Sequence, residues 1–447
     1  MADAIDPLNR LDDLVRKAKA AGADAADAVF VEGRSLVVTC RLGKREQVEG
    51  SEEADVGLRV FVGKRQAIVS SSDHTDAALR ELADRAVAMA RAVPEDPYCG
   101  LAAAEQLATS FPEVDSRDPG EPSADELAAR ALAAEDAARA VPGITNSEGG
   151  EAAWSSRRSA IVASNGFARE RARSDFSVSV SVLAGHGQEM ERDYDFASAV
   201  YAEDLRDPEE IGRSAGERAV RRLHPRKAKS AQVPVIYEPR VARSLLGHLA
   251  AAINGTAVAR GTTFLRGKMG EAIFPEAVNV VDDPLRRRGL RSRPFDGEGI
   301  ATRRLAVVER GVLQSWILDL RSARQLGLET TGHAARGTSS PPSPTTTNLY
   351  LEPGTISRTA LIRSVDIGFL VCELIGFGVN GVTGDYSRGA GGFWIENGEI
   401  AYPVSEVTVA GNLLDMLRHV TAADDLEFRY GTDSPTLRID GMTVAGV

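Results

Sequence analysis

Residues that could bind a metal ion or transfer a proton are sparse in this sequence. Six histidines are scattered along the chain, and no two of them lie one helical turn apart, the spacing that puts two ligands on one helix face. The three cysteines, Cys40, Cys99 and Cys372, form no CxxC pair. The sequence therefore predicts neither a metal site nor a disulfide framework in this chain, and its free thiols fit a reducing compartment.

One histidine, His248, lies in a segment with helical periodicity over 239–253. A lone histidine on such a partly apolar helix is more often a structural residue than a ligand. A Ser/His/Asp triad stays open, because its members need not be close in sequence, although the chain has no GxSxG motif. We therefore keep His248 as a candidate substrate-binding residue.

A glycine-rich run follows the strand-like segment 369–375. Its first part, Gly376-Phe-Gly378-Val-Asn-Gly381, is a literal GxGxxG, and seven glycines lie between 376 and 392. A dinucleotide site needs a helix that starts at the third glycine, and such glycine density excludes that helix. We expect instead a loop that lines a peptide groove, because glycine lets the backbone approach another chain closely. The alternative is structural, with Asp385 and Arg388 tying the loop to its own domain.

The elements in the first half of the chain combine helices with β-strands. A helix ends near Gly22, and glycines then divide short β-rich segments, which predicts an antiparallel meander with strands at 28–38, 46–49, 56–61 and 66–70. Ser123 and Glu126 form a capping-box pattern. We expect helices at 74–93, 123–140 and 207–223, a half-buried strand at 175–182, and a proline-rich connection at 93–124.

The second half is predicted to be rich in antiparallel strands, with the helix at 239–253 following a short strand at 233–237. The uncharged segment 337–347 is expected as an exposed loop, or alternatively as an extended segment beside a cleft. The predicted fold class is α+β. An N-terminal α/β domain with an antiparallel sheet and flanking helices spans 1–229, and a β-rich antiparallel C-terminal domain spans 230–447.

Composition narrows the function classes. The chain has 43% hydrophobic residues and a net charge of −11, as expected for an ordinary folded protein without a surface for direct nucleic-acid binding. We interpret its basic runs at 221–229 and 286–293 as solvated loops or helix ends. The sequence has no secretion signal and no apolar stretch of 18 residues, so we expect a cytoplasmic protein without membrane contact.

Several blocks in the second half resemble the TldD/TldE (PmbA) family of bacterial peptidases. These blocks occur in the same order as in the family and lie at 240–255, 294–299, 347–354, 378–404 and 409–417. The resemblance implies a two-subunit zinc metalloprotease, in which a TldD-type subunit holds the metal and a TldE-type subunit completes the chamber where peptides are cut.

The resemblance also implies that this chain is the TldE-type subunit. The metal-bearing relative carries HExxxH on the helix that matches 239–253, and alignment by Leu245 and Leu246 puts Gly247, His248 and Ala252 at those places. The family's third ligand, a cysteine, falls near Thr383. We therefore expect no cofactor in this chain, zinc in the partner subunit, and no catalytic residue here.

The expected function is that of a non-metal-bearing subunit which shapes the substrate chamber for unfolded or leader peptides and is inactive alone. A peptide is expected to pair with strand edges of the second domain. The candidate substrate-binding residues are Asn380, Thr383, Gly384, Asp385, Ser387, Arg388 and His248. Two alternatives are a metal-free peptide-binding homodimer without catalysis, and an independent hydrolase that uses Ser387, Asp385 or His248.

Overall fold

The structure is a computed structural model that describes residues 6–446. Residues 1–5 and 447, the outermost residues of the two predicted domains, lie outside the described part. The N-terminal part consists of α1 (Pro7–Ala20), β1 (Ala25–Arg41), β2 (Lys44–Val62), β3 (Arg65–Ser71), α2 (Asp76–Ala92), α3 (Ala124–Arg139), β4 (Ile144–Ala163), β5 (Ala168–Ala184), β6 (Glu191–Ala199) and α4 (Pro208–Arg221). Short 3₁₀ turns occur at Ala104–Gln106, Gly187–Glu189 and Ala202–Asp204.

These strands form one antiparallel sheet in the order β3-β2-β1-β4-β5-β6. Helices α1 and α2 pack on one half of the sheet and α3 and α4 on the other half, in two separate apolar clusters. Side chains alternate along each strand, so Ala28 and Phe30 of β1 meet the helices while Val29 points to the opposite face. The predicted α/β arrangement of an antiparallel sheet with flanking helices is confirmed.

The strands are longer than the sequence indicated. Gly33 and Gly50 do not end a strand, because they lie inside β1 and β2, opposite Glu53 and Leu36 in the ladder. The antiparallel meander is confirmed as β1-β2-β3, with turns near Gly43 and Gly63, but the expected division of its strands at Gly33 and Gly50 was wrong. The capping box at α3 is confirmed, since Ser123 Oγ accepts a hydrogen bond from the Glu126 N–H and Glu126 Oε2 accepts one from the Ser123 N–H.

Gly212 of α4 lies in close contact with a neighbouring helix, whereas Gly247 of α5 lies in open space. A Cβ at Gly212 of α4 would lie 2.0 Å from the Ala134 carbonyl oxygen of α3, whereas a Cβ at Gly247 would meet nothing within 4 Å. We expect Gly212→Ala to lower the free energy of unfolding by about 1–3 kcal/mol, because α3 and α4 must separate. Gly247→Ala is the matched control and should raise it by about 0.5–1 kcal/mol through helix propensity. Urea unfolding measures both, and equal effects would contradict the close approach.

The C-terminal part begins after a polar connection that contains the predicted boundary between residues 229 and 230. It consists of β7 (Ala231–Tyr237), α5 (Pro239–Ala252), α6 (Gly255–Arg260), β8 (Val280–Asp282), β9 (Leu305–Glu309), β10 (Val312–Leu313), α7 (Leu320–Leu326), β11 (Ala334–Ala335), β12 (Ser343–Pro344), β13 (Leu349–Leu351), α8 (Arg358–Arg363), β14 (Ile367–Ile375), β15 (Asp385–Glu396), β16 (Glu399–Asn412), α9 (Leu413–Arg418), β17 (Val420–Ala422), β18 (Thr432–Asp433) and β19 (Leu437–Ala445).

The main sheet of this part runs β16-β15-β14-β7-β19-β17, and β16 also pairs with β19. Five strands therefore close into a small barrel, which leaves β17 as an extension. A second sheet has the order β10-β9-β8-β13-β18. Most pairs are antiparallel, as predicted, but β14 pairs with β7 and β13 with β18 in parallel. Helix α5 packs its apolar face against this combined core.

The two parts meet across the sheet face that carries no helix. Val29, Ile161 and Phe167 of the N-terminal part form an apolar cluster with Phe295 of the C-terminal part. Asp27 of β1 lies beside this cluster and is bound by Arg59 of β2 and Arg336 of the C-terminal part, at 2.5 and 2.7 Å. In residues 6–446, no helix is long and apolar enough to cross a membrane.

Candidate functional site

Helix α5 supplies the first wall of the site. Pro239 begins the helix, and Leu245, Leu246 and Leu249 are buried in the core. The opposite face remains open, so that Gly247 borders a cavity of about 570 Å³. Arg243 lies one turn before Gly247 and lines the same cavity.

His248 points away from that cavity, toward the barrel. Its ring lies edge-on to the Tyr386 ring, with the centroids 5.9 Å apart. Its Nε2 is buried and has no hydrogen-bond partner among the described residues. Burial lowers the pKa of His248, and the nearby positive charge of Arg388 lowers it further. These contacts favour a neutral imidazole that packs against an aromatic ring.

The loop at 376–384 holds itself together with its own polar groups. Asn380 Oδ1 accepts hydrogen bonds from the Val382 and Thr383 N–H groups, and the Thr383 hydroxyl donates to Asp385 Oδ2 at 2.6 Å. Gly384 adopts a φ of +82°, a conformation that favours glycine. The structure thus gives Asn380, Thr383 and Asp385 a role in shaping the loop, which is the structural alternative weighed for Asp385.

Strand β15 separates the remaining candidates between its two faces. Tyr386 is buried against His248, whereas Asp385 and Ser387, its neighbours in sequence, are exposed. Alternation along a strand therefore puts Ser387 on the face opposite His248. Within residues 6–446, no hydrogen bond joins Ser387 to His248, so the geometry offers no support for a triad. Arg388 shares the face of Tyr386, lines the cavity beside Gly247, and donates from Nε to the Ile375 carbonyl at 3.3 Å.

The glycines of this region bring the chain close to itself. A Cβ at Gly378 would lie 2.1 Å from the Ser387 carbonyl oxygen, and one at Gly392 would lie 1.9 Å from the Leu370 carbonyl oxygen. No helix follows Gly381, which fits the exclusion of a dinucleotide site. Strand β15 is paired on both sides, with β14 and β16, so it offers no edge to a peptide.

The residues present do not fit a zinc ion. At the places of HExxxH the chain has Gly247, His248 and Ala252, of which Gly247 offers no side chain and Ala252 is buried in the core. Thr383, near the place of the third ligand, is bonded to Asp385. In the described part of the chain no three His, Cys, Asp or Glu side chains are grouped so that they could hold a metal ion.

Arginines dominate the space beside Gly247. The cavity of about 570 Å³ is lined by Arg192, Arg222, Arg240, Arg243, Arg291 and Arg388. A second cavity, of about 660 Å³, lies between the two parts of the chain and is lined by Arg157, Arg171, Arg173, Arg291, Arg293 and Arg336. Both cavities have Arg291 and Thr346 on their walls, and we name them together the arginine cleft.

The sequence interpretation missed this cleft. Arg291 and Arg293 belong to the basic run that was expected to be solvated, and Arg288 of the same run is bound to Asp115 at 2.8 Å instead. A dense basic run in an acidic chain was the available signal. The segment 337–347 also borders the cleft, through Gly337, Thr338, Thr345 and Thr346, as its alternative interpretation predicted.

Comparison with known proteins accounts for the fold and for the resemblance noted in the sequence. The chain matches three successive family models: PmbA/TldA metallopeptidase domain 1 over 26–90, the central domain over 117–223, and the C-terminal domain over 230–446. It is 37% identical to the metalloprotease PmbA of Escherichia coli O157:H7, over 95% of this chain and 93% of that protein. It is 36% identical to the PmbA homolog of Haemophilus influenzae, over 97% and 94% of the two chains.

Solved structures agree with the sequence matches. TldE from Thermococcus kodakarensis superposes with a TM-score of 0.88 at 22% identity, covering 98% of this chain and 100% of that one, which shows the shared fold. A Bacteroides thetaiotaomicron protein, described as a proposed modulator of DNA gyrase, superposes with a TM-score of 0.90 at 26% identity and covers 98% of both chains. The extent and identity of the PmbA matches show that this chain belongs to the PmbA/TldD family of metallopeptidases.

Proposed function

We propose that this chain is the non-metal-bearing, TldE-type subunit of a cytoplasmic zinc metallopeptidase. Its role is to shape the chamber in which a metal-bearing TldD-type partner cuts unfolded or leader peptides. The observation that carries the proposal is the chemistry of the motif positions: Gly247, His248 and Ala252 supply neither two zinc ligands nor a carboxylate base.

The surroundings of Gly247 support a role in binding. Gly247 borders an open cavity, and a Cβ at this position would meet nothing within 4 Å. The fold therefore leaves room for a side chain at the place where the metal-bearing relative has its first zinc ligand. The cavity shares Arg291 and Thr346 with the cavity between the two parts of the chain. A cleft of this kind suits a peptide, since ligand sites are concave and frequently lie between domains.

An exposed apolar loop supports the proposal that a partner subunit binds this chain. Phe377 and Val382 of the glycine-rich loop are 97% and 54% exposed, and Ile375, at the end of β14 just before the loop, is 61% exposed. Exposed clusters of large apolar side chains often mark protein interfaces. We propose that the TldD-type subunit covers this loop, which lies beside the cavity lined by Gly247 and Arg388.

Reconstitution tests the proposed function. The purified chain alone is expected to show no chelator-sensitive peptide hydrolysis, and adding a TldD-type homologue should create it. The control is the homologue alone, at the same zinc content. Chelator-sensitive turnover by the lone chain would overturn the proposal. Peptide affinity that never leads to turnover with the homologue would favour the metal-free binding homodimer instead.

A further inference from the structure

The arginine cleft carries more positive charge than its own carboxylates neutralise. Within 4 Å in residues 6–446, five of its arginines form no ion pair: Arg171, Arg243, Arg291, Arg293 and Arg388. The acidic residues on the walls mostly pair with other arginines of the cleft. Asp175 pairs with Arg173 at 2.5 Å, and Glu373 pairs with Arg222 at 2.5 Å.

The unpaired guanidinium groups contact neutral partners in the described part of the chain, and Arg243 lies over the Tyr430 ring, 4.4 Å from its centroid. Arg171 Nε donates to the Ser159 hydroxyl at 3.1 Å, and Arg293 donates from one terminal nitrogen to the Thr345 carbonyl at 3.2 Å, while its buried Nε has no partner among the described residues. Burial lowers the pKa of Arg171 to about 10, and the charges of Arg293 and Arg173 contribute to the shift. Asp296 offsets part of this crowding of positive charge, and an anion that enters the cleft would offset more of it.

The walls also indicate what kind of anion fits. Between the arginines lie apolar side chains, among them Val29, Ile161 and Pro294 in one cavity and Val241 and Leu374 in the other. A small inorganic anion would leave these surfaces unused. A peptide that carries carboxylates and apolar side chains would use both, because guanidinium groups bind carboxylates in bidentate geometry.

We propose that the arginine cleft binds acidic peptide segments, with their carboxylates paired to Arg171, Arg291 and Arg293. This inference rests on the proposed function, because it names the substrate class of the same peptide-binding subunit. Elsewhere the chain carries a net negative charge, −11 in total, and would repel such a peptide. A basic cleft in an acidic protein focuses the ligand on one place.

Direct binding by the full chain, without a partner, tests the proposal. The probes are three fluorescent peptides of one unstructured sequence, with glutamate, glutamine or lysine at the same positions, followed by fluorescence anisotropy. We expect the glutamate peptide to bind about tenfold more tightly than the glutamine peptide. The difference should shrink between about 0.1 and about 1 M salt, where the Debye length falls from about 10 to about 3 Å.

Matched variants locate the site. Arg171→Gln and Arg291→Gln should each weaken binding of the glutamate peptide about tenfold, whereas Arg363→Gln, at an exposed arginine outside the cleft, should not. Circular dichroism and melting temperature verify that the variants fold.

Equal affinity for the glutamate and glutamine peptides would overturn the proposal. Binding of inorganic phosphate without binding of either peptide would also overturn it. A complex that cuts neutral and acidic peptides equally well would refute this inference and leave the proposed function standing.

Discussion

Replacing Asp27 with alanine is expected to lower the free energy of unfolding by about 3–5 kcal/mol. Asp27 joins the two parts of the chain, since Arg59 belongs to β2 and Arg336 to the C-terminal part. The three side chains are only 3%, 4% and 1% exposed. Removing the carboxylate would leave two buried guanidinium groups without their shared partner, and Glu298 lies 3.9 Å from Arg59.

The electrostatics of this cluster supports the large effect. Burial alone would raise the pKa of Asp27, but Arg336 and Arg59 outweigh it and hold the pKa below the usual value. Nearby Glu298 shows the opposite balance: burial and the Asp296 charge raise its pKa to about 8. Asp27 is therefore the ionised carboxylate that pairs with both arginines.

Urea unfolding at neutral pH measures the loss. The control is Glu52→Ala, which breaks an exposed ion pair with Arg34 and should cost less than about 1 kcal/mol. Asp27→Asn retains the shape and should lose most of the same stability. If Asp27→Ala costs no more than Glu52→Ala, the cluster does not hold the two parts together. Replacing Asp27, Arg59 and Arg336 together with apolar residues should cost less than Asp27→Ala, because no charge then remains unpaired.

Local sequence signals predicted the helices well. The capping box at Ser123 and the apolar periodicity of α2 and α5 each depend on neighbours within one or two turns, so the sequence alone contains them. Strand lengths depend on partners far along the chain. Gly33 and Gly50 were expected to divide strands, yet β1 continues through Gly33 because it pairs with both β2 and β4 along this stretch.

For the candidate site, too, the sequence indicated which element carries a residue but not which distant residues it meets. The sequence placed His248 on a helix and Arg388 in the glycine-rich loop. The structure instead puts Arg388 in β15, because the chain pairs with β14 and β16 from this point on, and the fold brings both side chains to Tyr386. The sequence could not show that Asp385 and Ser387 face away from His248, since that depends on the register of β15. Nor could it bring Arg171 to Arg293, because residues separated by more than a hundred positions meet only when the two parts pack together.

Replacing Arg388 with alanine is expected to reduce peptide turnover by the reconstituted complex about tenfold or more, with little loss of stability. Loss of a hydrogen bond between a charged group and substrate costs about 1.5–3 kcal/mol, and a factor of ten corresponds to about 1.4 kcal/mol. The side chain is only partly buried, and its hydrogen bond to the Ile375 carbonyl is long at 3.3 Å. Its larger contribution should therefore be to the cavity that it lines beside Gly247.

Two readouts separate this role from a merely structural one. The loss of activity in Arg388→Ala should appear mainly as a higher KM. Arg388→Lys should restore part of the activity, because the positive charge returns. The control Arg363→Ala should leave turnover unchanged. In the chain alone, NMR titration of His248 should show its pKa rising in Arg388→Ala, since the positive charge that lowers it is gone. Unchanged turnover would remove Arg388 from the substrate-binding residues. An unchanged His248 pKa would show that the guanidinium does not act on the imidazole across this face of the barrel.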